Sequence, residues 1–170
     1  MPIQRPKTTV KNMQIRNHLN AGDLGYIIYL HGVLYAAEYG LDRTFEGYVA
    51  AGMGEFVKAL DNAKDFIAIA ENEGEIVGSI FINGLPDQTA LLRWFLVHPK
   101  ARGVGLGKRL LADALNFCRE RKFKSVSLWT IGELTTAANL YRQAGFKLAE
   151  ENTKEFWGAL RKEQRYDLEL

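Results

Sequence analysis

The chain has 170 residues, 47% of them hydrophobic and 25% charged, with a formal net charge of +2. That length supports one domain with a sizeable core, and the composition excludes a disordered chain. A balance so near neutral argues against a nucleic-acid binder, and a single cysteine, Cys118, excludes a disulfide scaffold.

The first residues, Met1–Thr9, hold two prolines and little apolar content, and are expected to be a loose tail ahead of a domain over 10–170. No apolar h-region opens the chain, and no run approaches the ~20 apolar residues of a membrane span. A soluble, cytoplasmic protein with no membrane partner is therefore expected. VKNMQIR (Val10–Arg16) suggests a first strand. Asn20–Asp23 offers N-cap chemistry, and Ile27, Ile28, Leu30, Leu34 and Tyr35 then recur at helical spacing up to Tyr39, where Gly40 can close the helix. A second helix over Asp42–Leu60 carries Phe45, Tyr48, Val49, Met53, Phe56, Val57 and Leu60 as its apolar set.

The period then changes. FIAIA (Phe66–Ala70) and EIVGSIFI (Glu75–Ile82) read as strands joined by a hairpin turn, and NGLPDQ (Asn83–Gln88) as a further turn. ALLRWFLV (Ala90–Val97) is a nearly continuous apolar run, as expected of a central strand buried on both faces. A glycine-rich stretch and a helix to about Lys122 follow, with Cys118 in its apolar stripe as a core thiol. SVSLWT (Ser125–Thr130) is the next strand and TTAANLYRQAG (Thr135–Gly145) a short helix. FKLAEE and RYDLEL are the last strands, with a loop around Trp157 between them. The order β, α, α, β, β, β, α, β, α, β, β predicts an α/β fold, a mixed sheet carrying helices in one domain.

The stretch VHPKARGVGLGKRLL (Val97–Leu111) alternates Gly103, Gly105 and Gly107 between Arg102 and the pair Lys108, Arg109. Glycines are costly to order, so their place at a helix start calls for a reason. The first N–H groups of a helix lack internal partners and sit at the positive end of its dipole, so an anion satisfies both. A P-loop is excluded, because Arg102 stands where its first glycine belongs and Arg109 where Ser or Thr belongs. A dinucleotide fingerprint is excluded too: the third glycine comes one residue early, and SVSLWT ends without an acid.

Arg102-Gly103-Val104-Gly105-Leu106-Gly107 does fit the pattern arginine/glutamine-x-x-glycine-x-glycine/alanine. Here the sequence resembles the GNAT superfamily of N-acetyltransferases, and AANLYRQAGF (Ala137–Phe146) looks like that family's second signature. HGVLYAAEYGLD, RWFLVHPKARGVGLG, LWTIGELTTAANLYRQAGFKL and EQRYDLEL resemble more closely the acetyltransferase halves of MarR–GNAT fusion proteins. With no MarR-like segment ahead of them, a free-standing version is expected.

The resemblance implies a mostly antiparallel sheet flanked by about four helices. It implies acetyl-CoA as cosubstrate, no metal, and a primary amine of a small molecule, peptide or protein as acceptor; it allows a homodimer. By motif position, the backbone of Phe95, Leu96 and Val97 should bond to pantetheine. Arg102, Gly103, Val104, Gly105, Leu106, Gly107 and Lys108 should wrap the pyrophosphate. Tyr141 matches the family's tyrosine and is expected to be the general acid, since a phenol with pKa of about 10 stays protonated at neutral pH.

Two departures matter. Leu134 stands where many members carry an asparagine that contacts the coenzyme, and Asn139, two helix positions from Tyr141, is expected to point elsewhere. Ala90–His98 contains no carboxylate, where many members carry a glutamate base. The base is left among Glu38, Glu133, His31, His98 and a water chain, with Glu38 named beside Tyr141 as a catalytic candidate. Tyr35, Tyr39, Trp94, Trp129 and Trp157 could line an acceptor pocket. The rival reading is a non-catalytic acetyl-CoA sensor. A helix-turn-helix built from the early helices is disfavoured, because HGVLYAAEYGLD is too poor in Lys and Arg to read phosphates.

Overall fold

The computed structural model describes residues 12–170. The expected tail over Met1–Thr9, and the start of the first strand at Val10, lie outside the described residues. The elements follow the expected order: β1 (Met13–Arg16), α1 (Asp23–Tyr39), α2 (Arg43–Lys58), β2 (Phe66–Asn72), β3 (Glu75–Leu85), β4 (Thr89–Val97), α3 (Leu106–Glu120), β5 (Ser125–Ile131), α4 (Thr135–Gln143), β6 (Lys147–Phe156) and β7 (Ala159–Glu169). The strands form one 7-stranded sheet in the order β1-β2-β3-β4-β5-β7-β6. All neighbours are antiparallel except β4 and β5, which α3 joins as the crossover that a parallel pair requires.

Each face of the sheet carries a core. The alternation of β2 shows how: Ile67 and Ile69 pack with Ile27, Val49, Met53 and Phe56 of α1 and α2, while Ala68 and Ala70 pack with Leu110, Ala114 and Cys118 of α3. The helix stops are local. Gly40 closes α1 in the left-handed region at φ 67, and its N–H bonds back to Ala36. The Asp42 carboxylate caps α2 by accepting from Thr44 N at 2.9 Å.

The central strand departs from expectation. Burial alternates along β4, with every second residue from Thr89 to Val97 only partly buried. The buried set also changes face. Ala90 and Leu92 join the α3 side, whereas Trp94 and Leu96 join the α1/α2 side. The cause is a β-bulge. Ser79 of β3 faces Leu96 and Phe81 faces Arg93, so β4 carries one extra residue over that span, with Trp94 at φ 48. Past the bulge β4 parts from β5. Their pairing ends at Leu92↔Leu128, although β4 runs on to Val97 and β5 to Ile131.

Two turns are tighter than the sequence suggests. NGLPDQ is partly strand, because β3 continues to Leu85 and leaves Pro86–Gln88 to turn the chain. The late loop is a two-residue hairpin turn: β6 and β7 pair as far as Phe156↔Ala159, with Trp157 at φ 51 and Gly158 at φ 89.

Candidate functional site

The gap between β4 and β5 positions everything that follows. On its α3 side the chain leaves β4 through His98, whose Nδ1 accepts from Lys100 N at 3.2 Å and shapes the turn Pro99–Ala101. Gly103 and Gly105 then take φ 79 and φ 81, left-handed values that side chains resist. The helical ladder opens with Arg109 N bonding to Gly105 O at 3.0 Å, so the N–H groups of Leu106, Gly107 and Lys108 precede it.

A cavity of ≈ 540 Å³ runs from this turn along the open edge of β4. Of the residues expected to hold the coenzyme, Phe95, Leu96, Val97, Arg102, Gly103, Gly105, Leu106, Gly107 and Lys108 line it. Val104 does not, and its side chain is exposed. Leu134 and Asn139 are also on this wall. Asn139 had been expected to point elsewhere; instead α4 turns Asn139, Leu140 and Gln143 to this cavity and Tyr141 to the other.

That other cavity, of ≈ 460 Å³, lies on the α1/α2 side of the same gap. Its walls are His31, Tyr35, Phe45, Tyr48, Trp94, Trp129, Phe156, Trp157 and Tyr141, with Arg93, Lys154 and Glu163 as the charged members. The two cavities share Tyr35, Phe95 and Leu134, which form the neck between them. The Tyr35 hydroxyl donates to Phe95 O at 3.4 Å there. Tyr39 lines the first cavity rather than the aromatic one.

The electrostatics separate the candidate residues. Arg102 grips Glu38 with both ends of its fork, at 2.7 and 2.8 Å, and its Nε donates to Val97 O at 3.0 Å. The guanidinium holds the Glu38 carboxyl below its ordinary range, chiefly through these hydrogen bonds. A carboxylate so held is a poor proton acceptor, and it faces the glycine-turn cavity, not the aromatic one. Glu133 is tied to the nearly buried Arg161, which also donates to Gly40 O at 3.1 Å. Neither Glu133 nor His98 lines either cavity. Burial and the neighbouring Lys100 and Arg102 depress the His98 imidazole.

His31 is the base candidate on the aromatic cavity. Its Nδ1 lies 2.8 Å from Ile27 O. A carbonyl only accepts, so Nδ1 carries the hydrogen and Nε2 the lone pair. Burial pushes this imidazole down to about 4, so it is neutral at neutral pH. Tyr141 is buried with its ring against Phe95, Phe146 and Tyr166, centroids 5.9–6.1 Å away. Burial raises its phenol above the ordinary value. Cys118 lines neither cavity, and burial pushes its thiol up to about 12.

A sequence model of the acetyltransferase (GNAT) family matches residues 33–146. The chain belongs to this family. Among curated relatives, a mycothiol acetyltransferase of Cellulomonas flavigena is 33% identical over 88 residues, 46% of this chain and 25% of that protein. The uncharacterised N-acetyltransferase YjgM of Escherichia coli K12 is 32% identical over 117 residues, 66% of this chain and 70% of that one. The present chain thus spans about a quarter of the mycothiol acetyltransferase's length. A crystal structure of an acetyltransferase from Streptococcus agalactiae 2603 matches with a TM-score of 0.73 at 25% identity, covering 94% of this chain and 99% of that chain. GNAT neighbours therefore share the mixed, mostly antiparallel sheet with its helices.

Sequence reasoning did not single out Arg93, Lys154 or Glu163 as cavity residues. Arg93 carried a signal, as the lone charge in an otherwise apolar strand. Lys154 and Glu163 sit on exposed hairpin strands rich in charge and had none. Among the described residues, no cluster of His, Cys, Asp or Glu could hold a metal ion, and no helix is long and apolar enough to cross a membrane.

Proposed function

We propose that this GNAT protein is a cytoplasmic enzyme that transfers the acetyl group of acetyl-CoA directly to a primary amine. The observation that carries this reading is the meeting of two differently built cavities at Tyr35, Phe95 and Leu134. One ends on an N–H-rich glycine turn and the other is walled by aromatic rings. The closer likeness to the acetyltransferase halves of MarR–GNAT fusions rests on the quoted segments alone.

The residues present fit the cosubstrate. The N–H groups of Gly103–Lys108 suit a diphosphate, and Lys108 adds positive charge. The unpaired edge of β4 at Phe95–Val97 suits an extended chain of amides, which would add to it as another strand does. Arg102, already committed to Glu38 and Val97 O, serves as a positioning residue that ties α1 to the turn. When bound, the cosubstrate supplies an acyl group activated as a thioester.

The protein's own groups then manage protons. Tyr141 keeps its hydrogen at neutral pH and can give a hydrogen bond to a departing sulfur. His31 presents Nε2 as a neutral acceptor on the amine side. Its low basicity, like that of the held Glu38, suits accepting a hydrogen bond from the amine rather than holding its proton. Displacement of water from the neck on binding would strengthen each of these interactions.

The test is calorimetric titration with acetyl-CoA, followed by free-thiol release from acetyl-CoA with a panel of primary amines. Binding and amine-dependent thiol release are expected. No heat with acetyl-CoA, or no thiol release with any amine, overturns the reading.

A further inference from the structure

We infer that the aromatic cavity receives an acceptor bearing a carboxylate beside its amine, and that Arg93 binds that carboxylate. The inference rests on the reading of this cavity as the acceptor side of an acetyltransferase. The ligand class is an amino acid, or a similar amino-carboxylate, with an aromatic or apolar body.

The charges in the cavity are unbalanced. Lys154 Nζ lies 2.7 Å from Glu163 Oε2, so these two offset each other. Arg93 makes no ion pair among the described residues, although it lines a mostly apolar space. The guanidinium is only partly buried, so it is open to a ligand entering the cavity. Its fork geometry matches a carboxylate in two parallel hydrogen bonds.

The guanidinium is also held in place. Its Cζ lies 4.2 Å from the Trp94 ring centroid. It crosses α2 at Gly52, where a Cβ would come within 2.6 Å of Arg93 Nη2 and 3.2 Å of Trp94 Cζ2. A glycine inside a helix is unfavourable relative to alanine. The chain carries that glycine at the point where the guanidinium passes. The bulge contributes as well, since it sets Arg93 and Trp94 on the same face of β4 and allows the stacking.

Thr130 is also on this wall. Around these groups Tyr48, Trp129 and Trp157 offer faces to an apolar body, with the Tyr48 and Trp157 rings 5.3 Å apart.

The experiment separates carboxylate binding from catalysis. Calorimetry compares 3-phenylpropionate with the matched neutral amide, 3-phenylpropionamide, on the full chain. The acid is expected to bind about tenfold more tightly or better. Arg93→Met should abolish that preference, and Arg93→Lys should keep part of it. Acetyl-CoA binding and the melting temperature serve as controls for folding. Thiol release should likewise favour L-phenylalanine over phenethylamine, and Arg93→Met should reverse the order.

Equal binding of acid and amide by the wild type overturns the inference. So does a folded Arg93→Met protein that still prefers the acid. If Arg93→Met does not fold, the wild-type comparison and Arg93→Lys decide. An acid preference lost with Arg93 but unaccompanied by thiol release from any amine upholds the carboxylate site and removes the acetyl-transfer reading.

Discussion

His31 makes the stability of this protein depend on pH in a calculable way. The ring is buried between Tyr35 and Phe45, at centroid distances of 5.6 and 6.5 Å, and donates from Nδ1 to Ile27 O. Burial lowers its pKa from 6.5 to about 4. In the unfolded chain the imidazole protonates as pH falls through 6.5; in the folded chain it does not until about 4. The folded pKa is the depressed one, so the contribution is fully present above 6.5 and is lost as pH falls towards 4. The difference of about 2.5 pH units, at ~1.36 kcal/mol each, amounts to about 3 kcal/mol. The perturbation is His31→Asn, whose amide can still donate to Ile27 O but cannot titrate. Urea unfolding between about pH 7 and pH 4 measures both proteins. Lost ring packing shifts the variant's curve as a whole, whereas the missing titration changes its slope. The wild type should lose about 3 kcal/mol more than the variant across the window. Parallel curves would refute the argument, and with it the claim that a neutral imidazole faces the aromatic cavity.

Tyr141→Phe keeps the ring in its cage of Phe95, Phe146 and Tyr166, so the melting temperature should barely move. Steady-state thiol release should show kcat reduced about 100-fold, with little change in KM for acetyl-CoA; an unchanged kcat removes Tyr141 from the proton chemistry. Gly105→Ala meets no atom within 4 Å, so its cost is the left-handed backbone at φ +81 alone. Urea unfolding should register a loss of roughly 1–2 kcal/mol, and wild-type stability would contradict the assigned turn. Cys118→Ala should remain active with sequential kinetics, because the thiol is buried away from both cavities. Ping-pong kinetics in the wild type, lost in this variant, would instead make Cys118 a nucleophile.

Much of this architecture was legible because its causes are local. Gly40 ends α1 by its own backbone conformation, and the alternation of small and large residues in β2 reports two covered faces. The glycine turn was legible for the same reason: Gly103 and Gly105 adopt a conformation that only their neighbours in sequence demand. The last hairpin was underestimated because β6 is an edge strand exposed along nearly its whole length. Its Glu, Asn, Thr and Lys residues leave no periodic apolar signal to read. The aromatic cavity was foreshadowed by Trp94, Trp129 and Trp157, but its charged members were not. Lys154 and Glu163 meet across the β6–β7 hairpin, and pairing register is invisible in composition.

The bulge was the feature no local pattern could disclose, and it does the most for the site. Trp94 is neither glycine nor asparagine, yet it sits at φ 48. That conformation is unfavourable by itself, so tertiary packing must impose it. The edge-to-face contacts of Trp94 with Phe56 and Phe81, at centroid distances of 5.4 and 5.3 Å, are the packing available to do so. One extra residue then has linked consequences. It turns Phe95 and Val97 to the α3 side and Trp94 and Leu96 to the α1/α2 side. It ends the pairing with β5 at Leu92, which bares the strand edge. It also sets Arg93 beside Trp94 on the wall of the aromatic cavity. An unbroken β4 would keep its hydrogen bonds with β5, and the neck between the cavities would be closed by sheet.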